Sequence, residues 1–404
     1  WALLAAGLAL AGVPGVFSLS SVFYLRDLAY GYWPQHLWFV QMLASGDSML
    51  WDPYPAFGQS AVADPCRHLF FPPVVLLRLL LPQVVAYNLT VALPYPVAAL
   101  GMFVYLRRHV SAPAAALGGA AFALSGPVLS TGNFPNMGWA VALSPFVLWA
   151  ADALAARLSA SRFALVALCF ALQFLAAEPV TLLVTAAIAV AYVAVAAQTP
   201  PGAWTRVRLV AAFVAAGVVG FLLAAVQGFP FAAAFLQSSR QSGIPLSYHL
   251  VGSVHPLSLV EAIMPVVFGD PIRHYYGAPQ WLAALNSSYE PIMYGLYVGV
   301  PTLALAALGA WAPPNRRWGL FWVGVLVLAT LVALGVYTPV FPAIANLPLA
   351  RSFRFPSKFS VQASLAAAAL AAAGWHALAS HRATARQRMA GLLPATILAA
   401  AAAA

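Results

Sequence analysis

Two groups of charged residues have the types and spacing that hydroxyl and phosphate chemistry needs. Asp27 follows the first long apolar stretch directly, beside Arg26, so its carboxylate is predicted to lie at a membrane surface. A carboxylate there can act as a general base toward a hydroxyl acceptor while a reacting lipid stays in the bilayer. The alternative is an Arg–Asp pair that begins the next helix, since Asp is a preferred first residue of helices.

The second group is basic. Arg351, Arg354 and Lys358 fall within eight residues, just before another apolar stretch. The planar fork of Arg pairs with two phosphate oxygens, and Lys adds a point charge. The spacing predicts binding of the phosphate of a lipid carrier whose tail stays in the membrane. The alternatives are ordinary phospholipid headgroup contact or an ion pair with nearby acids.

Further polar and aromatic candidates surround these groups. Three acids, Asp47, Asp52 and Asp64, lie in a Gly/Pro-rich loop, where Asp often stabilises turns. Together with Asp27 they could instead orient a sugar or a divalent cation such as Mg²⁺, which prefers oxygen ligands. The loop lacks a dense ligand spacing, so no cofactor is assigned, the metal is unknown and a divalent cation stays an open alternative.

Four other side chains complete the candidate set. Glu261 lies in the apolar segment HPLSLVEAIMP, where a carboxylate needs a partner, and it is a candidate for orienting substrate or a cation. The aromatic residues Tyr32, Trp33 and Trp51 could stack on sugar faces or anchor the chain at the membrane interface. Glu178 precedes Pro179, and we interpret it as a turn residue rather than part of a site.

The elements that position these residues are predicted to be membrane helices. Hydrophobic residues make up 63% of the 404 residues and charged ones 7%, which excludes an ordinary soluble domain. A spanning helix needs roughly 20 apolar residues, and the chain offers about eleven such stretches. They lie near 1–25, 84–106, 113–130, 138–155, 163–177, 179–197, 208–228, 292–311, 318–338, 359–378 and from 389 onward. The sequence therefore predicts an all-α polytopic membrane protein.

Charge along the chain predicts which side each connector occupies. Short basic connectors, such as Arg107-Arg108 and Arg316-Arg317, alternate with longer ones that hold nearly every acid. Short cytoplasmic loops retain Lys and Arg, so the acids and any chemistry are predicted to lie on the outer face. The net charge of +10 then indicates anionic lipid headgroups as partners rather than nucleic acid.

Three outer segments are long enough to fold within the single transmembrane domain predicted over 1–404. The first, 26–82, has helical apolar spacing at its start and a short apolar stretch at its end, which indicates interfacial helices. The second, 229–290, is rich in Tyr, Trp and Pro and is predicted to form a lid. The third, 339–358, is the basic loop.

The first outer loop carries a resemblance to a known family. Gly46, Leu50-Trp51-Asp52-Pro53, Gly58, Ala63-Asp64-Pro65 and Phe70-Phe71-Pro72-Pro73 occur in the order found in YfhO-like bacterial membrane proteins. Downstream, ALSGPVLSTGNFPNMGW, LSLVEAIMPVVFGDP and FRFPSKF resemble later segments of that family. Asp52 stands where Asn is commoner and Lys358 where Arg is commoner, and Lys weakens a bidentate phosphate contact.

This resemblance implies the GT-C glycosyltransferase superfold, with a large first outer loop that carries interfacial helices. It implies transfer of a sugar from a polyprenyl-phosphate carrier to an acceptor on the outer side of a bacterial inner membrane. Asp27 would be the catalytic carboxylate of the first loop, and Arg354 and Lys358 would hold the donor phosphate.

Two other functions compete with this interpretation. One is a catalytically silent membrane subunit that braces a larger complex, because the chain begins at Trp1 and ends in alanines, as a piece of a longer protein would. The other is a flippase or transporter. Charged residues are nearly absent from the middle of the predicted spans, where coupling ions and substrates usually bind, and this disfavours transport.

Overall fold

The computed structural model describes residues 1–199, 205–270, 284–285, 291–347, 350 and 353–380. Of the residues in these ranges, 71% are helical. Across these described ranges, the strands form one two-stranded antiparallel ribbon, in which Trp51–Asp52 pairs with Gln59–Ser60. The prediction of an all-α protein is confirmed.

Helices follow one another along the whole described chain, and most are separated by short Pro- or Gly-containing turns. The α-helices are Ala2–Ala11, Trp33–Ser45, Pro72–Leu80, Gln83–Ala92, Pro94–Leu106, Ala112–Ala123, Gly126–Ser130, Pro135–Ala156, Ala160–Leu175, Pro179–Ala191, Thr205–Leu223, Ala225–Leu236, Leu246–His249, Val300–Trp311, Arg316–Ala333, Val340–Ala345 and Ser360–Ala379. Short π- and 3-10 helices, among them Leu28–Tyr32, Tyr192–Ala196, Pro256–Ala262 and Pro356–Phe359, join several of them.

Several of these helices are long and apolar enough to cross a membrane. In the described part of the chain six single spans pass by length and composition, or seven if the bent pair Ala112–Ala123 and Gly126–Asn133 counts as one span. Four shorter apolar helices of 10–17 residues accompany them. The chain is therefore a multi-pass membrane protein.

Several predicted spans have different bounds in the structure, and the stretch predicted from 389 onward lies outside the described residues. The helix predicted over 1–25 ends at Ala11, because Gly12, Pro14 and Gly15 follow and do not favour helix continuation. The helix predicted over 292–311 begins at Val300. Gly299 directly before it has φ +97, a conformation that only glycine adopts without strain.

The chain divides into two compact units. The first comprises Trp1–Ala6, Met102–Ser130 and Ser239–Ala404, and it contains the basic loop. The second comprises Gly7–Gly101 and Thr131–Ser238, and it contains the first outer loop. The predicted division into a single domain with three outer loops stays a prediction.

Close helix packing supports the basic loop in the first unit. Val300–Trp311 packs against Ser360–Ala379. A methyl group on Gly309 would lie 1.9 Å from the carbonyl oxygen of Leu370, and one on Gly374 would lie 2.0 Å from that of Leu305. Small residues let the two backbones approach this closely, which is how membrane helices commonly associate. The helix that follows the basic loop is therefore firmly held.

In the second unit, an apolar cluster fixes the end of the first outer loop. Phe71 and Val74 are fully buried beside Trp139, and the Phe71 and Trp139 rings meet edge to face with centroids 5.2 Å apart. The indole N–H of Trp139 donates to the carbonyl of Thr90 at 3.0 Å. This cluster attaches the loop to the Pro135–Ala156 helix.

Candidate active site

Asp27 lies at the start of the π-helix Leu28–Tyr32, where its backbone occupies the cap position. Its side chain makes no capping hydrogen bond to the backbone of that helix. The catalytic role and the alternative, an Arg–Asp pair that begins the helix, both stay predictions. The residue before it, Arg26, has φ 48, a left-handed conformation that is uncommon outside glycine. Such backbone outliers concentrate at functional positions.

An acidic cluster surrounds Tyr32 and Cys66 in the second unit. Burial raises the pKa of Tyr32 well above its usual value, and the charges of Asp27 and Asp64 raise it further. Burial also raises the pKa of the Cys66 thiol to about 12, and the charges of Asp64 and Glu178 act in the same direction. Three carboxylates from separate segments therefore lie near one tyrosine–cysteine pair.

Asn136 joins the parts of this cluster. Its side-chain oxygen accepts a hydrogen bond from the Tyr32 hydroxyl. Its amide nitrogen donates to the carbonyl of Ala177 at 3.0 Å and contacts the sulfur of Cys66 at 3.6 Å. One side chain thus links the first outer loop to the turn before Glu178.

Glu178 does act as a turn residue, as the sequence predicts. Its Oε2 accepts the backbone N–H of Thr181 at 2.5 Å and so caps the helix that begins at Pro179. Ala177 before it has φ 74. Glu178 is 5% exposed, and its charge contributes to the raised pKa of Cys66. It therefore also belongs to the acidic cluster.

Asp52 has its partners inside the loop. One carboxylate oxygen lies 2.6 Å from Nη1 of Arg67, and the other accepts the backbone N–H of Tyr54 at 3.0 Å. Asp52 and Arg67 are 4% and 2% exposed. Both oxygens are engaged in a buried ion pair, so the structure gives Asp52 a role in holding the loop. Its predicted role in orienting substrate stays a prediction.

Asp64 is more accessible than Asp52. Its Oδ1 accepts the backbone N–H of Cys66 at 3.0 Å, and its Oδ2 lies 3.4 Å from Nε of Arg67. Within the described ranges, no group of three or more His, Cys, Asp or Glu side chains could hold a metal ion. The carboxylate oxygens of the acidic cluster can accept hydrogen bonds and protons.

The two candidate tryptophans have different surroundings. Trp33 stacks on His36 with centroids 5.6 Å apart and meets the Tyr87 ring edge to face at 4.9 Å, so its faces are largely used in packing. Trp51 is 55% exposed and lies over Gly58, where an added methyl group would approach it to 2.7 Å. Of the two, Trp51 is the better platform for a sugar face.

The basic loop gathers two cations on one aromatic ring in the first unit. The guanidinium carbon of Arg354 lies 4.7 Å from the centroid of the Phe355 ring, and Nζ of Lys358 lies 5.8 Å from it. Burial lowers the pKa of Arg354, and the charge of Arg240 lowers it further. Arg240 comes from the second outer segment. The third predicted cation, Arg351, lies outside the described residues.

Hydrogen bonds from the second outer segment hold this loop in place. The His249 ring meets the carbonyl of Phe353 at 2.5 Å, and the backbone N–H of Ser357 donates to the carbonyl of Gly252 at 3.1 Å. Phe355 has φ 68 between these two contacts. The cations are thus fixed at the start of the helix Ser360–Ala379, where positive charge attracts an anion.

Glu261 lines an open pocket in the same unit. Burial raises the pKa of its carboxyl group, while the backbone N–H of Phe268, which donates to it, has the opposite effect. The pocket encloses about 560 Å³ of empty space, including its open mouth, and Ser357 of the basic loop also lines it. Glu261 therefore faces a space where a ligand could lie.

Sequence reasoning missed Asn136 and Arg240 as members of these groups, and it gave Tyr32 a different role, stacking on a sugar face. Asn136 lies in the segment NFPNMGW, where a polar amide in an otherwise apolar helix was the available signal. The hydrogen bond of Tyr32 to Asn136 and the effect of Arg240 on Arg354 carry no comparable signal, because each joins residues distant in sequence.

Comparison with known proteins identifies the fold. The structure resembles that of the arabinofuranosyltransferase AftD from Mycobacteria, with a TM-score of 0.50, 18% identity and 91% of this chain covered. It also resembles the oligosaccharyltransferase AglB from Archaeoglobus fulgidus, solved with an inhibitory peptide and a dolichol-phosphate, with a TM-score of 0.52, 14% identity and 99% of this chain covered. The chain therefore shares a GT-C-like, polytopic all-α fold with these two proteins.

The likeness extends to the fold alone. The chain spans 25% of the AftD chain and 55% of the AglB chain. No family model and no curated protein matches the sequence. The resemblance to YfhO-like proteins therefore stays a prediction.

Proposed function

We propose that this chain is a glycosyltransferase that moves a sugar from a polyprenyl-phosphate donor to a hydroxyl acceptor. We place the reaction on the periplasmic face of a bacterial inner membrane. The observation that carries the proposal is the cation group formed by Arg240, Arg354 and Lys358 directly before a long membrane helix. A lipid phosphate whose tail enters the bilayer is the anion that suits this place. The GT-C fold, which AftD and AglB share, supports the same class of reaction.

In the proposed reaction the acceptor hydroxyl oxygen forms a bond to the anomeric carbon of the sugar. The bond between that carbon and the carrier phosphate breaks, and its electron pair stays on the phosphate oxygen. Asp27 takes the proton of the acceptor hydroxyl, a role that positioned carboxylates fill in general base catalysis. Arg354 and Lys358 stabilise the negative charge on the departing phosphate, because fixed cations in a poorly hydrated site act strongly on developing charge.

The acidic cluster is assigned to the acceptor. Tyr32 and Asn136 form a polar pair beside Asp27 and Asp64, and such a pair can orient an acceptor hydroxyl. Trp51, exposed at the surface of the same loop, offers a face for a sugar ring. Membrane lipids, the lipid-linked sugar and protein partners in a larger complex are the binding partners that this function requires or permits.

Lipid mass spectrometry on the purified protein tests the donor. We expect wild-type protein to carry a polyprenyl phosphate or its sugar adduct, and Arg354→Ala to lose about 90% of it, as one charge-assisted contact predicts. Arg317→Ala is the matched control, because Arg317 is an exposed arginine at the start of another membrane helix and is predicted to face the cytoplasm. Bulk phospholipid alone in all three samples would contradict the proposal and favour a silent structural subunit.

A further inference from the structure

The pocket that Glu261 lines shares a wall with the basic loop. Ser357, whose backbone N–H is bonded to Gly252, contributes to the pocket and directly precedes Lys358. A methyl group on Gly252, which also lines the pocket, would lie 3.4 Å from Cδ1 of Phe355. This is the aromatic ring that both Arg354 and Lys358 approach, so the pocket borders the proposed phosphate site.

The pocket contains a polar atom that has no hydrogen-bonding partner among the described residues. Ser357 is 5% exposed, and its buried hydroxyl oxygen is this atom. An unsatisfied buried hydroxyl is destabilising, so its retention needs an explanation. The hydroxyl lies 3.5 Å from the position that a methyl group on Gly252 would take. Gly252, with φ +72, leaves this side of the pocket open.

Other lining groups complete a set suited to several hydroxyls. Nδ1 of His255 accepts the backbone N–H of Leu257 at 3.1 Å, so the neutral ring carries its proton on Nε2 and can donate there. Glu261 supplies carboxylate oxygens as acceptors, and Phe268 adds an aromatic side chain. A few directed polar groups with apolar walls are typical of small-molecule sites.

The walls of the pocket are fixed by backbone contacts outside it. The N–H of Val254 donates to the carbonyl of Ala333 at 2.9 Å, and the N–H of Val298 donates to that of Ala262 at 3.1 Å. The hydroxyl of Ser253 accepts the N–H of Val336 at 3.1 Å and is thereby engaged. The polar lining of the pocket is therefore arranged before a ligand binds, and this lowers the entropic cost of binding.

Charge selects the kind of ligand. Among the described residues that line the pocket, Glu261 is the one carboxylate, and none is Lys or Arg. A ligand group with its own carboxylate would be repelled, whereas neutral hydroxyls would find both donors and acceptors.

We propose that this pocket binds the sugar of the lipid-linked donor, that it accepts neutral sugars, and that Ser357, His255 and Glu261 hydrogen-bond to the sugar hydroxyls. This assignment rests on the proposed function, because it presumes a donor phosphate on the adjacent cations.

Binding of short-chain lipids to the purified full chain in nanodiscs tests the assignment. The probes are farnesyl phosphate, its glucosyl ester and its glucuronyl ester, measured at pH 8. We expect the glucosyl ester to bind about tenfold more tightly than farnesyl phosphate, as two or more added hydrogen bonds predict. Ser357→Ala should weaken binding of the glucosyl ester by about three- to tenfold and leave the affinity for farnesyl phosphate unchanged. Ser364→Ala is the matched control, because Ser364 also has a buried hydroxyl without a partner but does not line the pocket.

The glucuronyl ester tests the effect of ligand charge, because its sugar has nearly the shape of glucose and carries an added carboxylate. It should bind about fivefold or more weakly than the glucosyl ester in wild type, and Glu261→Gln should narrow this gap. Equal binding of the glucosyl ester and farnesyl phosphate, with both weakened by Arg354→Ala, would overturn the sugar pocket and leave the proposed function standing. Equal effects of Ser357→Ala and Ser364→Ala would also overturn the pocket. Binding of none of the three lipids would overturn the proposed function and the pocket together.

Discussion

Replacing Asp52 by Asn decides between a structural and a substrate-binding role for this carboxylate. The substitution keeps the shape of the side chain and an oxygen for the N–H of Tyr54, and it removes the charge that faces Arg67. Arg67 would remain buried at 2% exposure, with Trp38 stacked 4.9 Å from its guanidinium carbon. The perturbation therefore leaves a buried cation with a weaker counter-charge.

The magnitude follows from the geometry. Two unit charges about 4 Å apart attract by ~4 kcal/mol at an effective dielectric constant near 20. Removing one partner of a buried ion pair typically destabilises a protein by about 3–5 kcal/mol. Asp64, whose Oδ2 is 3.4 Å from Nε of Arg67, retains part of the attraction. We therefore expect Asp52→Asn to lower the free energy of unfolding by ~3 kcal/mol.

The loss of stability is measured by heating the protein in detergent and quantifying the fraction that stays folded by size-exclusion chromatography. Asp47→Asn is the control, because Asp47 is an exposed residue of the same loop and should change stability by less than about 0.5 kcal/mol. The double variant Asp52→Leu with Arg67→Met should recover most of the stability, since it removes both buried charges. An Asp52→Asn protein with wild-type unfolding and no transferase activity would refute the structural role and restore the predicted substrate contact.

Three further substitutions test other parts of the structure. Asp27→Asn should lower the rate of sugar transfer about 100-fold or more with an unchanged unfolding temperature, and an active variant would remove Asp27 from the mechanism. Gly309→Ala should destabilise the protein by ~3 kcal/mol in thermal unfolding, because its methyl group would lie 1.9 Å from a carbonyl oxygen, whereas Gly324→Ala meets nothing within 4 Å and should be neutral or stabilising. Burial, assisted by the charge of Arg78, lowers the pKa of His68 to about 3 from 6.5, so the folded state takes up its proton later than the unfolded state and stability falls as the pH drops from 6.5 toward 3. This loss should reach about 2 kcal/mol at pH 5 and should be smaller in His68→Asn, and an equal acid sensitivity of both proteins would contradict it.

Apolar composition and charge order were sufficient to predict the fold class. Long apolar stretches determine membrane helices because the bilayer leaves a backbone few other ways to satisfy its hydrogen bonds. The bounds of two helices could not be predicted from apolar length. Pro14 and Gly15 lie inside the first apolar stretch, and Gly299 lies inside the one predicted over 292–311. These residues interrupt a helix, although the stretches around them stay apolar on average.

The candidate site shows the same division between sequence and tertiary structure. Asp27, Arg354 and Lys358 could be selected from the sequence because charge beside an apolar stretch is visible in a linear pattern. Asp52 and Asp64 look alike in the loop sequence. Their difference depends on Arg67, which makes a 2.6 Å contact with Asp52 and leaves Asp64 partly exposed. Sequence spacing does not show with which of two nearby acids an arginine forms the shorter, more buried ion pair.

The sequence by itself determined that this protein crosses a membrane many times and that its acids and its basic loop occupy distinct connectors. Only the tertiary structure decided that Asn136 joins Tyr32 and the turn before Glu178, that Arg240 adds its charge to Arg354, and that Ser357 lines a pocket with Glu261. Insertion of a helix into the membrane depends on the summed hydrophobicity of consecutive residues, so it can be predicted from a short stretch of sequence. Hydrogen bonds and electrostatic interactions depend on atoms that lie a hundred residues apart along the chain in some of these pairs, so they exist only once the helices have packed.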